Sequence, residues 1–376
     1  MAKPIIGLAP MDGVTDAAYR FMVASNGKPA VIMTEFTNVE GLSRGAISML
    51  EAFIYHEVER PIVAQIYGVE VESFYKVALM VCELGFDGID INMGCPANKV
   101  ARRGSGAGLI KTPELAKEII RTVKKAAQDW ANGMTLEKAG IRPKIIKSIR
   151  AQCHSEQCEG SPPSLQKISY GGDPSVALLP QDDRRVRRLI PVSVKTRTGF
   201  DAIVTEDWIK HLLEAEPANI SLHGRTLKQM YTGEAKWEEI GKAARVCKGT
   251  QTTLLGNGDI KTMEDAHAKI KTYALDGVLV GRGTFGNPWF FKGQSPTPQE
   301  CIAGAIDHSE AFERVFKDRP FMSMRKHLSW YIRGFDGAKE VRVKLMQTNC
   351  ARDVRSILQP LVISTELKAS GEIPSL

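Results

Sequence analysis

The residues best suited to chemistry lie in one short stretch, Asp90-Ile91-Asn92-Met93-Gly94-Cys95-Pro96-Ala97-Asn98-Lys99. An apolar run precedes it, and Gly94 and Pro96 break that run around Cys95, so the thiol is expected on a loop at a strand end rather than in a core. Other reactive or hydrogen-bonding side chains stand just past apolar runs elsewhere: Asp12, Glu35, Gln65, Lys195 with Arg197, His223 with Arg225, Asn257 with Asp259, and Arg282. One or two such placements would mean little. A full ring of them points to a single pocket about the size of a cofactor.

The elements that must carry this ring repeat a simple unit: a short apolar run, a turn, then a segment with helical spacing. The runs are Ile5 to Ala9, Ala30 to Met33 ending near Glu35, Pro61 to Gly68, Gly88 to Ile91, Pro191 to Lys195, Asn219 to His223, Thr253 to Asn257 and Gly277 to Gly281. Between them, Phe74, Val77, Ala78 and Val81 make one apolar helical stripe and Leu115, Ile119, Ile120 and Val123 another. Thr15 and Thr112 are expected helix caps, with Pro113 opening its helix. Eight such units predict an α/β fold, a closed (β/α)8 TIM barrel over residues 1–293 with its site at the C-terminal strand ends. No Gly-x-Gly-x-x-Gly follows the first strand, which disfavours a dinucleotide-binding sheet.

The repeat lapses at about 129–188, read as an insertion with little regular core. Cys153, His154 and Cys158 fall short of a four-ligand zinc site, so no metal is expected there. Beyond Pro296 and Pro298 the chain reads as a smaller all-helical domain, residues 294–376. Its stretch from Arg314 to Arg355 carries eleven Lys/Arg against four Asp/Glu, which suggests an anionic partner. Lys326, Trp330 and Arg333 are expected on one helical face, with Arg342, Lys344, Arg352 and Arg355 nearby. Seven cysteines at irregular spacing do not describe a disulfide framework. Neither a signal peptide nor a membrane span is evident, so a cytoplasmic protein is expected.

Two glycine motifs narrow the ligand. Gly256-Asn257-Gly258-Asp259 and Gly281-Arg282-Gly283 follow the seventh and eighth runs, where barrels often bind phosphate on backbone N–H groups. FMN suits such a ring: Lys195 could stabilise negative charge on a reduced flavin, and Gln65 and Asn257 offer amide contacts. His223 could bond the cofactor or brace its strand end.

Together, Ala9-Pro10-Met11-Asp12-Gly13-Val14-Thr15-Asp16, Gln65, Ile91-Asn92-Met93-Gly94-Cys95-Pro96 with Lys99, Lys195-Thr196-Arg197, His223-Gly224-Arg225, Asn257-Gly258-Asp259 and Gly281-Arg282 resemble the tRNA-dihydrouridine synthases. Met324-Arg325-Lys326-His327-Leu328-Ser329-Trp330-Tyr331 extends the resemblance to that family's helical tRNA-binding domain. It implies reduction of the C5=C6 bond of D-loop uridines in tRNA, with hydride from reduced FMN to C6, a proton from Cys95 to C5, and NADPH as reductant. It also implies FMN contacts at Pro10, Met11, Asp12, Gln65, Lys195, His223, Asn257, Gly258, Asp259, Gly281 and Arg282. Asn92, Lys99 and Arg197 would lie near the uridine or its backbone, and Lys326 and Arg333 on the tRNA. Many members carry Ala in place of Asp12, and their connection across the insertion is shorter. A monomer acting on tRNA, with no membrane or obligate protein partner, is expected. Two other readings stay open: an FMN barrel oxidoreductase acting on a small molecule, and a non-catalytic RNA-binding barrel.

Overall fold

The computed structural model describes residues 3–96, 103–155, 187–230 and 232–370. Eight parallel strands close in chain order: β1 (Ile5–Leu8), β2 (Ile32–Asn38), β3 (Ile62–Tyr67), β4 (Gly88–Met93), β5 (Val192–Arg197), β6 (Asn219–His223), β7 (Thr253–Asn257) and β8 (Gly277–Val280). Closure is by β8 on β1, with Ile5 opposite Gly277 and Leu8 opposite Val280. The runs are short because each strand is covered on both faces, as parallel strands require; β4 is buried along its whole length. This is the (β/α)8 barrel that the spacing predicts.

Helices α1 (Ala17–Asn26), α2 (Val39–Ser43), α3 (Val71–Glu83), α4 (Pro113–Ala131), α5 (Pro143–Ser155), α6 (Thr205–Leu213), α7 (Trp237–Cys247) and α8 (Met263–Tyr273) belong to the barrel. The main core lies between strands and helices, where Phe74, Val77 and Val81 of α3 and Ile119, Ile120 and Val123 of α4 are buried. Both expected caps differ in detail. Asp16 rather than Thr15 caps α1, accepting from Tyr19 N at 3.0 Å. Thr15 instead braces the loop before it, its Oγ1 accepting from Met11 N at 2.9 Å. Thr112 makes no side-chain cap bond, and Pro113 at the first turn sets the helix start.

The region expected to have little regular core is partly ordered into it. Residues 143–155 form α5, and Leu136, Ile141, Ile145 and Ile149 are buried against the barrel. Ile145, Ile146 and Ile149 have helical spacing, a signal masked in the sequence by the surrounding lysines, arginines and cysteines. Arg187 donates to Trp130 O at 3.0 Å and Met134 O at 2.7 Å, and Arg188 pairs with Asp87 at 2.6 Å, so two members of the basic cluster hold this segment to the barrel. Cys153 and His154 fall in α5, and Cys158 lies outside the described residues.

The C-terminal helices are α9 (Pro298–Val315), α10 (Arg325–Tyr331), α11 (Ala338–Leu345) and α12 (Ala351–Ser370). A capping box between Thr297 and Glu300 starts α9. These helices build a second core around Ile302, Phe312, Leu328, Tyr331 and Leu358, which Ala17 and Ala18 of α1 complete from the barrel. Arg319 ties the same surfaces together by ion pairs to Asp16 and Glu51. Among the described residues no helix is long and apolar enough to cross a membrane.

Candidate active site

Strand register determines which side chains meet. Asn92 lies opposite Lys195, and Arg197, His223, Asn257 and Leu279 form one continuous row across β5 to β8. Parallel partners point to the same side, so this row lines one rim of the barrel. There it bounds a cavity of ≈ 540 Å³, within the range of small-molecule sites. Ala9 and Leu279, from a small cluster inside the barrel, contribute to its apolar lining.

Cys95 faces this cavity at 8% exposure, on the loop that ends β4. The loop is held by Asn92, whose Oδ1 accepts from Gly94 N at 3.0 Å and Cys95 N at 2.8 Å. Asn92 Nδ2 in turn donates to Gln65 Oε1 at 2.9 Å, and Gln65 Nε2 donates to Asp90 Oδ2 at 2.7 Å. Gln65 therefore sits beneath the cavity with both ends of its amide bonded. Lys99 lies outside the described residues.

Lys195 and His223 face the cavity with altered proton affinities. Burial pushes Lys195 down to about 8, helped by the charge of Arg197 and opposed by that of Asp90. Burial and the charges of Arg197 and Lys195 hold His223 well below the usual imidazole range, so it is neutral at physiological pH. His223 Nδ1 is buried with no partner among the described residues, an arrangement that a bound ligand could satisfy. Asn257 Nδ2 donates to Leu279 O at 2.8 Å. Arg197 is spent on backbone, donating to Gly94 O at 2.6 Å and Thr226 O at 3.1 Å, so it links the cysteine loop to the loop after β6.

At the far end, Gly258 takes φ +134°, a conformation that side chains disfavour, and brings the β7 loop against the cavity. Gly281 also lines the cavity, and a Cβ there would lie 3.2 Å from Met11 Sδ. Arg282 stands at the rim with 53% of its side chain exposed. Asp259 lines the cavity as well, and its carboxylate is engaged by Arg225 at 2.6 Å, Arg282 at 2.7 Å and Ala235 N at 2.9 Å. Burial works against its charge, yet Arg225 and Arg282 prevail and hold it below the usual carboxylate range.

Pro10, Met11 and Asp12 complete the lining from the β1 loop. Glu35 is not among the lining residues, because a bulge in β2 between Met33 and Phe36 turns Phe36 into the cavity instead. Sequence reasoning also missed the outer wall, where Phe285 and Trp330 stack with ring centroids 3.9 Å apart and planes 9° off parallel. Trp330 belongs to α10, so the helical region contributes directly to the cavity; only tertiary docking reveals that. Lys326 reaches the barrel mouth, its Nζ 3.8 Å from the place a Gly13 Cβ would occupy. Arg333 lies beyond the end of α10 rather than on its face and donates to Phe285 O at 3.1 Å. Arg342 is bonded to Ile332 O and Arg355 is paired with Glu310, so those two cations serve the fold.

Comparison with known proteins follows the same residues. A family model described as dihydrouridine synthase matches residues 7–138 and 182–366, and the unmatched interval falls within the expected insertion. A probable tRNA-dihydrouridine synthase of Staphylococcus aureus (strain COL) is 33% identical over 367 residues, covering 95% of this chain and 93% of that one. The probable tRNA-dihydrouridine synthase 2 of Bacillus subtilis (strain 168) is 32% identical over 367 residues, covering 95% and 94%. Among solved structures, a variant of NCR from Zymomonas mobilis aligns with a TM-score of 0.42 at 16% identity, over 79% of this chain and 89% of that one.

Proposed function

We propose, from the premise that the chain belongs to the dihydrouridine synthase family and is a flavin-dependent oxidoreductase, that it reduces the C5=C6 bond of D-loop uridines in tRNA, using FMN in the barrel-mouth cavity and NADPH as reductant. The observation that carries this reading is the convergence of Cys95, Lys195, His223 and Arg282 on one cavity. The cavity suits FMN on features of its own: the unpartnered His223 Nδ1, the bare backbone of Gly281 where a Cβ would crowd Met11, and a guanidinium held at the glycine-rich end.

In this reading Met11, Lys195, His223 and Asn257 hold the flavin ring, with Pro10 and Asp12 beside it and Gln65 supporting from below. Gly258, Gly281 and Arg282 hold the phosphate, and Asp259 orients Arg282. Bound there, FMN in its reduced form supplies the hydride that uracil C6 receives. Negative charge then develops at C5, and Cys95 Sγ holds the proton that neutralises it. Asn92 keeps that thiol in place through the loop backbone, and Arg197 fastens the same loop from β5. Val14, Phe36 and Leu279 present apolar surface that excludes water from the reacting carbons.

The target uridine must leave its stack to reach the cavity. The helical region from residue 294 is the proposed tRNA-binding domain, with Lys326 at the mouth and Arg333 at the rim bearing on phosphates. A monomer acting on cytoplasmic tRNA completes the proposal. The test is to incubate the purified chain with NADPH and an unmodified tRNA transcript, then digest and weigh the fragments. A D-loop fragment heavier by two hydrogens supports the reading; an unchanged transcript beside a flavin that NADPH reduces would reject it.

A further inference from the structure

We infer that Asp90 is a positioning residue for the Cys95 loop, a buried carboxylate that fixes the direction of a two-amide hydrogen-bond chain ending on the loop's backbone N–H groups. Asp90 is fully buried in the middle of β4, behind the cavity rather than on it. Strand register puts Gln65 opposite it on β3 and Ser193 opposite it on β5. Its Oδ1 accepts from Ser193 Oγ at 2.5 Å, and its Oδ2 accepts from Gln65 Nε2 at 2.7 Å.

An ionised carboxylate can only accept, so Gln65 must turn its NH2 group toward Asp90 and its carbonyl oxygen toward Asn92. Asn92 then donates from Nδ2 at 2.9 Å and has Oδ1 left for Gly94 N and Cys95 N. If both amides were reversed, the NH2 of Asn92 would meet two backbone donors and the loop would lose both bonds. The carboxylate and the loop thus face each other across two amides whose orientation each end reinforces.

The choice of residue supports this. A buried charge is costly where an apolar side chain could fill β4. Burial pushes the Asp90 carboxyl up to about 6, while its bonds from Ser193 and Gln65 and the charge of Lys195 pull the other way. Lys195 on β5 is the charged group facing it; Gln65 on β3 and Ser193 on β5 are neutral. Because the folded-state pKa lies above the unfolded value, the ionised carboxylate lowers stability above about pH 6, and that cost vanishes toward acid.

The inference uses the reading of Cys95 as the proton donor only for its effect on turnover, so the test has an arm without substrate. In Asp90→Asn the backbone amides of Gly94 and Cys95 should exchange hydrogen about tenfold faster, the scale of one charge-assisted bond. The variant should melt no lower than the native chain above pH 6. Its kcat on tRNA should fall about tenfold with KM nearly unchanged, since binding groups are untouched. An Asp90→Asn/Gln65→Glu double variant moves the carboxylate to position 65, where it can accept from both position 90 and Asn92, and so keeps the direction of the chain. It should restore the slow exchange of the Gly94 and Cys95 amides. Unchanged exchange in Asp90→Asn, or a folded double variant that fails to recover protection, would overturn the inference. A native chain that does not act on tRNA would instead count against the proposed function and leave the exchange result standing.

Discussion

A thiol on a strand-end loop becomes an acid only when its backbone is fixed and its surroundings are shaped for the acceptor. Cys95 meets the first condition through Asn92 and the second through the cavity it lines. Under the proposed mechanism, replacing its Sγ takes away the proton donor without filling the cavity, so Cys95→Ala should keep its flavin while uridine reduction slows by roughly 10²–10⁴. Single-turnover kinetics with prereduced enzyme would measure this; a rate within a few fold of native would assign the proton to another group. Gly281 tests the opposite end. Its Cβ position already lies 3.2 Å from Met11 Sδ in the cavity lining, so Gly281→Val crowds the wall beside Met11. Flavin affinity should drop roughly tenfold or more, seen as loss of the visible band on dilution and filtration, and retention at native stoichiometry would move the phosphate end elsewhere.

At the scale of elements, much was readable in the sequence because the information is local. Strands β6 and β7 begin and end where the sequence runs do, each closing on a polar residue, His223 or Asn257. The cysteine loop is marked by its own glycine and proline. What was not legible depends on partners distant in the chain: the bulge that exchanges Glu35 for Phe36, the engagement of Asp259 by Arg225, and the docking of α10 that brings Trp330 onto Phe285. That docking needs Gly286, where any Cβ would lie 2.1 Å from Trp330 O. The stacked pair should serve the RNA more than the flavin, being on the outer wall. Trp330→Ala is expected to raise KM for tRNA about tenfold, or about 1.4 kcal/mol, while Trp330→Phe stays near native. Equal KM values for all three would show the pair to be only a strut between the two regions.

At the scale of the whole molecule, the barrel and helical region meet over a buried cluster of Tyr19, His308, His327 and Tyr331. His327 has neither ring nitrogen bonded among the described residues, and His308 has only Nδ1 near Tyr331 Oη at 3.4 Å. Burial pushes His308 down to about 3 and holds His327 well below 6.5, with Lys326 adding to both and His308 and Arg319 to the second. The unfolded chain takes up these protons below about pH 6.5 and the folded chain does not. Each histidine therefore lowers stability by up to about 1.4 kcal/mol per pH unit as pH falls from 6.5. Glu35 and Asp90, pushed up by burial to about 7 and about 6, have the opposite sign. The informative quantity is the difference between native and His327→Leu: the variant should lose less stability between pH 7 and pH 5, by about 2 kcal/mol in denaturant melts. Parallel curves would place the acid sensitivity outside this interface.

In the proposed cycle, electrons pass from NADPH through a flavin in this cavity to a uridine of tRNA. The most direct measurement is an anaerobic absorption experiment: reduce the purified protein with one equivalent of NADPH, remove the excess, and add unmodified tRNA transcript. The expected result is a flavin band that bleaches with NADPH and returns on adding the transcript, and that stays bleached when tRNA already carrying dihydrouridine is added instead. A reduced flavin that no tRNA reoxidises, while a small enone does, would contradict the account.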